Sequence, residues 1–147
     1  MSREQVELTF LIGYNREATP HAKVKAFETN VIQLACKLCG GCAVVPTEGY
    51  WMSDGAQHKQ TFGGRLEKEH TLHIKLSCEL DKEARVYETM RAFISAWSKL
   101  FGVETDWVHV QRSTFTGLHF STKEQVSKMG YTAYVDLVSP GTRFAHK

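Results

Sequence analysis

The sequence predicts an α+β domain in which two helices cover one face of an antiparallel sheet. Its 147 residues are enough for one hydrophobic core, because single domains commonly contain about 100 to 200 residues. Several segments alternate apolar and polar residues, as strands do, and two longer segments repeat apolar residues every three or four positions, as helices do. The hydrophobic fraction of 42% and the charged fraction of 23% are ordinary for a folded globular protein. We therefore expect residues 1–147 to form a single domain.

The charge pattern argues against nucleic acid and membranes as partners. The net charge is +2, from 18 basic and 16 acidic residues interspersed along the chain, whereas nucleic-acid-binding proteins concentrate Lys and Arg on one surface. No apolar run approaches the length of about 18 residues that a membrane-spanning helix needs. Residues 1–10, MSREQVELTF, place charges where a signal peptide has its apolar centre, so we expect a cytoplasmic protein.

The first half of the chain predicts a strand, a helix and a second strand. Alternation marks a strand over Val6–Ile12. Thr19 and Pro20 predict a helix start, with the Thr19 hydroxyl as the cap, and the apolar spacing continues to Cys39 before two glycines. The second strand is predicted over Cys42–Val45 and ends at Pro46. The residues that support the helix are Val24, Phe27, Val31, Leu34 and Leu38.

The segment that follows, from Pro46 to Leu66, has no clear periodicity and is rich in glycine. A long irregular segment inside a small domain is usually a functional loop or a poorly ordered one. Three aromatic residues in it, Tyr50, Trp51 and Phe62, could bind a ligand. We therefore expect function to concentrate here.

The second half predicts the remaining elements. Thr71–Cys78 alternates most regularly, and a helix begins at Asp81 and ends before Gly102. Trp107–Gln111 is a predicted strand that Thr116–Phe120 continues. A short helix over Lys123–Lys128 and a strand over Tyr131–Val138 form a C-terminal extension.

The order β-α-β-β-α-β is that of the ferredoxin-like fold. Two helices cover one face of such a sheet, so the other face is either solvated or covered by another subunit. We therefore expect self-association.

Other residues that could carry chemistry favour structural interpretations. Cys36, Cys39 and Cys42 form a C-x₂-C-x₂-C string, but an iron–sulfur ligand run of the bacterial ferredoxin type needs a further Cys where Pro46 stands. A zinc site would need a second pair of ligands, so we predict no metal and thiols that a reducing cytosol keeps reduced. The alternation of the third strand places His70 and His73 on opposite faces. No phosphate-binding glycine motif is present.

Glu69 is the strongest single candidate, because it stands between the irregular segment and the most regular strand. Most carboxylates at strand ends are solvated surface groups. A carboxylate beside aromatic rings, however, suits a small cationic ligand, which pairs with the charge and lies against a ring face.

The segment that starts at Glu69, EHTLHI, resembles a motif of the small phage-encoded enzymes that degrade S-adenosylmethionine (SAM), long called SAM hydrolases and now regarded as SAM lyases. The shared pattern is an acid, one spacer, Thr and an alternating strand. Two weaker matches are the turn at residues 49–50 and the residues 116–118, and the resemblance extends from the first helix to about Phe120. Catalysis in that family depends on the acid, so the resemblance assigns this role to Glu69. Glu67 is the reserve candidate, because Lys68 separates two acids that are adjacent in the family.

The resemblance implies a homotrimer of ferredoxin-like subunits with substrate bound between neighbours and no cofactor. The implied reaction is cleavage of SAM to 5′-methylthioadenosine and L-homoserine lactone, in which the substrate carboxylate attacks its own γ-carbon. It would take place in the host cytoplasm and deprive restriction systems of their methyl donor. The substrate-binding residues assigned by position are Tyr50, Thr47 and Val45, with Gln111 and Thr114 from the adjacent subunit.

Three other functions remain open from the residues alone. In a SAM hydrolase, Glu69 would activate water and homoserine would form directly. A non-catalytic ferredoxin-like trimer would bind a nucleotide and leave it intact, because fold does not fix function. A phage protein that acts by contact with a host enzyme would use the sheet edges and helices instead of the loop.

Overall fold

The computed structural model describes residues 3–14, 19–103, 105, 108–118 and 121–122. The chain divides into two compact units, one formed by Ser2–Gly117 and the other by Met1 with Leu118–Lys147. All the helices and strands described below lie in the first unit. Their order is β1 (Arg3–Tyr14), α1 (His21–Cys39), β2 (Ala43–Met52), β3 (Leu66–Glu79), α2 (Glu83–Phe101) and β4 (Val108–Gly117).

The strands form one antiparallel sheet in the order β2-β3-β1-β4. β3 lies between β1 and β2, so the connection through α1 passes over a strand, and the connection from β3 through α2 to β4 does the same. This is the ferredoxin-like topology, and the predicted fold class is confirmed.

Helix α1 confirms the predicted boundaries but not the predicted cap. Gly40 ends the helix in the left-handed conformation, with φ of 80°, and its N–H donates to the carbonyl of Cys36. The residue at the N-cap is Pro20, and no side chain caps the helix. The prediction that the Thr19 hydroxyl caps the helix is wrong: its Oγ1 is buried without a hydrogen-bond partner.

The predicted end of the second strand at Pro46 is wrong, and the irregular segment is shorter than the predicted Pro46–Leu66. β2 continues through Pro46 to Met52, β3 already begins at Leu66, and only residues 53–65 connect them. Pro46 is tolerated because β2 is an edge strand. At an edge a residue can lack its N–H and every neighbouring strand still keeps its hydrogen-bond donors. The result is a long β2–β3 hairpin.

The second half follows the prediction closely. A single 3-10 turn, Leu80–Lys82, leads into α2, which ends at Gly102 with φ of 65°. β4 is one continuous strand, where the sequence predicted two joined pieces. Phe120 and the C-terminal extension predicted over Lys123–Lys128 and Tyr131–Val138 lie outside the described residues.

The hydrophobic core lies between the two helices and one face of the sheet. The even-numbered residues from Val6 to Tyr14 in β1 and from Leu72 to Cys78 in β3 point into it, which leaves the odd-numbered residues of both strands on the open face. Phe10, Phe27 and Met90 are each at most 1% exposed. The core is completed by Val6, Leu8, Ile12, Tyr14, Val24, Val31, Ala35, Leu72, Ile74, Leu76, Cys78, Val86, Ile94 and Val103.

Within the part of the chain that the structure describes, no helix combines the length and the apolar character needed to cross a membrane.

Candidate functional site

The β2–β3 hairpin extends past the end of β1, and Glu69 lies at this step. The last pair between β1 and β3 joins Tyr14 to His70, whereas the pairs between β2 and β3 continue to Met52 and Leu66. Going along β3 from His70 toward the hairpin loop, Glu69 is therefore the first residue that does not pair with β1. Its side chain is partly exposed and lies on the open face of the sheet.

The Glu69 carboxylate is held in a defined position by two neighbours. The indole Nε1–H of Trp51 donates to Oε2 of Glu69 at 2.8 Å. The other oxygen, Oε1, lies over Gly13, and a Cβ at Gly13 would overlap the carboxylate. Glycine at position 13 therefore provides the space that the carboxylate occupies, and Trp51 orients the carboxylate there.

Thr71 lies beside this carboxylate and is buried on the same face. The residue is 4% exposed, and its Oγ1 has no hydrogen-bond partner. Gly49 makes room for it, since a Cβ at Gly49 would stand 2.7 Å from Thr71 Oγ1 and 3.4 Å from the ring carbon Cη2 of Trp51. A buried hydroxyl without a hydrogen-bond partner is costly to a fold.

Thr47 continues the cluster across the hairpin. Its hydroxyl lies 3.2 Å from Nε2 of His73 and 3.3 Å from the carbonyl oxygen of Thr71. His70 lies on the opposite face of the same strand, where its ring centroid is 5.0 Å from that of Tyr14. The prediction that the two histidines lie on opposite faces is confirmed.

A shallow groove of about 520 Å³ crosses the open face next to this cluster. Val45 and Gln111 lie in it, on the two edge strands, and His73 lies between them. The remaining residues that line it are Glu7, Thr9, Ala43, Lys75, Arg112 and Ser113.

Two of the predicted binding residues lie on the other face of the sheet. Tyr50 donates from its hydroxyl to Oε2 of Glu48 at 3.1 Å, and Nζ of Lys68 lies 5.9 Å from its ring centroid. The hydrogen bond from Lys68 to Glu48 raises the pKa of Lys68. Thr114 pairs with Val6 in β4 and is exposed. The structure thus brings Glu69 close to Thr47, but not to Tyr50 or Thr114.

The reserve candidate Glu67 is more exposed than Glu69 and less constrained. It pairs with Trp51 across the hairpin, and its carboxylate lies 3.7 Å from a guanidinium nitrogen of Arg65. Surface ion pairs of this kind contribute little to stability. Of the two acids, Glu69 has the geometry of a binding group.

Sequence reasoning did not single out Gly13 or Thr71 as members of the site. Their role depends on contacts between strands distant in sequence, since Gly13 pairs with Thr71 across the β1–β3 ladder. The available signal was alternation: once Glu69 is placed on the open face, Thr71 and His73 must share that face.

The loop between β2 and β3, residues 53–65, is held together by hydrogen bonds to the Asp54 carboxylate. Asp54 accepts hydrogen bonds from the amides of Gly63 and Gly64, both at 3.1 Å, and from Nζ of Lys59 at 2.9 Å. The Lys59 ammonium is the main reason that the pKa of Asp54 is lowered.

The four cysteines are free thiols: Cys36 and Cys39 lie at the C-terminal end of α1, Cys42 directly precedes β2, and Cys78 is next to the last residue of β3. In the described ranges, His, Cys, Asp and Glu side chains form no group of three or more that could hold a metal ion.

Comparison with known proteins finds similarity in fold. No protein-family model and no curated protein matches the chain. CutA1 from Oryza sativa is 11% identical, with a TM-score of 0.47, over 80% of this chain and 85% of CutA1. A phage SAM lyase in complex with S-methyl-5′-thioadenosine is also 11% identical, with a TM-score of 0.47, over 78% of this chain and 90% of the lyase. The phage SAM lyase in the apo state is 14% identical, with a TM-score of 0.41, over 80% and 92% of the two chains. Identities this low assign no family.

Proposed function

We propose that the protein is a SAM lyase, which cleaves S-adenosylmethionine to 5′-methylthioadenosine and L-homoserine lactone. The observation that carries this proposal is the Glu69 carboxylate, held between Trp51 and Gly13 on the open face. SAM offers two positive groups, its sulfonium and its α-ammonium, that such a carboxylate can bind. The indole of Trp51 adds an aromatic face suited to a cation.

Glu69 acts as a binding group and neither as nucleophile nor as base. The carboxylate of the substrate attacks its own γ-carbon: a C–O bond forms, the Cγ–S bond breaks, and the bonding electron pair goes to sulfur. The sulfonium becomes a neutral thioether, so charge is lost in the transition state and a site with little water favours the reaction. By holding the α-ammonium or the sulfonium, Glu69 bends the methionyl chain into a shape in which the carboxylate is aligned to attack the γ-carbon.

The rest of the site is assembled between subunits of a homotrimer. Thr47 and the unpartnered hydroxyl of Thr71 lie close to Glu69. Main-chain groups at Val45, in the groove of the open face, hydrogen-bond the edge of the adenine. Gln111 and Thr114 come from the neighbouring subunit. Tyr50 lies on the opposite face of the sheet from Glu69 of the same chain. If Tyr50 contacts the substrate at Glu69, it therefore comes from a neighbouring subunit. Size-exclusion chromatography with light-scattering detection measures the molar mass of this assembly. A monomeric mass would contradict the proposed trimer.

The exposed apolar side chains of the open face are consistent with such an assembly. Val45 is 51% exposed, Trp51 40% and Phe115 37%. They lie on β2 and β4, the two edge strands, and packing against a second subunit would remove them from water.

Incubation of the purified protein with SAM in ¹⁸O-labelled water, followed by rapid chromatography and mass analysis, tests the reaction. We expect 5′-methylthioadenosine together with unlabelled homoserine lactone as the first products. Homoserine that carries label before any lactone forms would identify a hydrolase in which Glu69 activates water. SAM that is bound and recovered intact would identify a non-catalytic binding protein.

Glu69→Gln and Glu67→Gln form a matched pair for the same assay. Both replace an acid on the same face of β3 by its neutral isostere. We expect the Glu69 variant to lose most activity and the Glu67 variant to keep it. The reverse result would move the role to Glu67.

A further inference from the structure

The C-x₂-C-x₂-C string that the proposed function does not use places two thiols in contact. Sγ of Cys36 lies 3.8 Å from Sγ of Cys42. Cys36 is exposed in the last turns of α1, and Cys42 directly precedes β2. The two sulfurs therefore meet across the connection between a helix and a strand.

The two glycines between these elements explain why the thiols meet. Gly40 reverses the chain in the left-handed conformation, and its N–H donates to the carbonyl of Cys36 at 2.8 Å. No atom lies within 4 Å of a Cβ built at Gly40 or at Gly41. The turn thus has open space beside both glycines.

We propose that Cys36 and Cys42 form an oxidative modification site, at which a peroxide converts the two thiols to an intramolecular disulfide. In the first step Cys36 reduces hydrogen peroxide and becomes a sulfenic acid, with release of water. In the second step the sulfur of Cys42 attacks that of Cys36, the S–S bond forms, and a second water leaves. Two thiols and one peroxide thus give one disulfide and two waters.

Geometry and burial select this pair among the four cysteines. A disulfide has an S–S distance of about 2.05 Å, so the two sulfurs need to approach by about 1.8 Å from their present 3.8 Å. Cys36 is the exposed thiol and meets the oxidant first. Burial raises the pKa of Cys39 to about 11, and Cys78 is buried, so both are poor targets for peroxide. Burial, with the neighbouring Cys36, also raises the pKa of Cys42 to about 11, so Cys42 is not the first target of peroxide.

The disulfide would join the end of α1 to the start of β2, the strand that carries Thr47 and Trp51. It does not depend on the proposed reaction with SAM, because none of the atoms involved belongs to the Glu69 cluster.

Peptide mapping of the peroxide-treated full chain tests this site. Trypsin cleaves after Lys37, which separates residues 26–37, with Cys36, from residues 38–59, with Cys39 and Cys42. After treatment with hydrogen peroxide we expect an intact protein lighter by two hydrogen atoms and, once the remaining thiols are alkylated and the protein is digested, a cross-linked pair of these two peptides. Cys36→Ala should abolish the cross-link and Cys39→Ser should retain it.

Three outcomes would overturn the proposal. The first is four alkylated thiols after peroxide treatment. The second is a cross-link that Cys39→Ser removes, and the third is a disulfide between two chains. Cys36 is exposed, so its replacement by Ala leaves the fold intact, which far-UV circular dichroism verifies.

Discussion

Replacement of Gly13 by Ala should displace the Glu69 carboxylate without removing its charge. The two residues lie on neighbouring strands, and the carboxylate occupies the space above Gly13 that a side chain would fill. The atoms in conflict are at the far end of a flexible side chain, so they can move at small cost. The substitution therefore separates the position of the charge from its presence.

The size of the effect follows from the distances. The carboxyl carbon of Glu69 lies 2.5 Å from the place of a Cβ at Gly13, whereas ordinary van der Waals contact begins at 3.4 Å, so the carboxyl carbon must move by about 1 Å. Such a shift also breaks the 2.8 Å hydrogen bond from Trp51. A misplacement of about 1 Å can lower a rate by about 100-fold, or about 2.7 kcal/mol in transition-state stabilisation.

The stability of the variant should change little. Ala at an extended position stabilises a fold by about 0.4 to 1 kcal/mol through the unfolded chain, which offsets the cost of moving the Glu69 side chain. Gly41→Ala is the matched control, because no atom lies within 4 Å of a Cβ there. We expect the control to keep wild-type turnover of SAM.

The assay measures kcat/KM for release of 5′-methylthioadenosine and, in parallel, the melting temperature. Loss of turnover with an unchanged melting temperature supports the position of Glu69 in the site. Wild-type turnover by Gly13→Ala would refute the reasoning, since the carboxylate cannot remain in place beside a methyl group.

Three further substitutions test other parts of the structure. Trp51→Phe removes the indole donor to Glu69 and keeps an aromatic ring. We expect kcat/KM for SAM to fall about 10-fold, because a charge-assisted hydrogen bond is lost. An unchanged kcat/KM would contradict the role of Trp51 in orienting Glu69. Lys59 is the main reason that the pKa of Asp54 is lowered in the folded protein. The stabilisation that the Asp54 carboxylate gives the hairpin loop is therefore fully present above the ordinary pKa of 3.8. It is lost as the pH falls through the lower pKa of the folded protein. The Gly63 amide signal in NMR should therefore titrate below pH 3.8 and lose this titration in Asp54→Asn, whereas a midpoint above 3.8 would contradict the lowered pKa. Met90→Ala should lower the free energy of unfolding by about 2 to 5 kcal/mol in urea, because Met90 is 0% exposed, and a change below about 1 kcal/mol would contradict its place in the core.

The sequence predicted those helices and strands whose apolar residues alone reveal which side of the element is buried. The even-numbered residues of β1 from Val6 to Ile12 are buried, and α1 buries Val24, Phe27 and Val31 at helical spacing. Such elements have one buried side and one exposed side, so the chemical pattern repeats with the geometry.

The hairpin was not predictable in the same way. The outer part of β2 buries no residue fully on either face, and its sequence beyond Pro46 does not alternate apolar and polar residues. Its structure comes from pairing with β3, for example Glu48 with His70 and Tyr50 with Lys68, and from the 3.0 Å ion pair between Lys68 and Glu48. Pairing partners distant in sequence leave little trace in a local pattern.

The site shows the same division. Glu69 could be found because it stands where a regular strand meets an irregular segment. Its neighbours could not be found, because Gly13 is 56 positions away and matters only for the side chain it lacks. The cap expected from Thr19 failed for a related reason: the identity of a residue allows a hydrogen bond but does not guarantee that its hydroxyl is turned toward the helix.

Calorimetric titration with decarboxylated SAM and with 5′-methylthioadenosine, in parallel on wild type and Glu69→Gln, tests the central claim most directly. Decarboxylated SAM keeps the sulfonium and the ammonium but lacks the attacking carboxylate, so wild type cannot cleave it by the proposed reaction during the titration. 5′-Methylthioadenosine carries neither positive group, so it reports the contacts of the nucleoside alone. We predict that the variant binds decarboxylated SAM at least 10-fold more weakly than wild type, a difference of about 1.4 kcal/mol, and binds 5′-methylthioadenosine equally well. Equal affinity of both proteins for decarboxylated SAM would contradict a cation-binding role for Glu69.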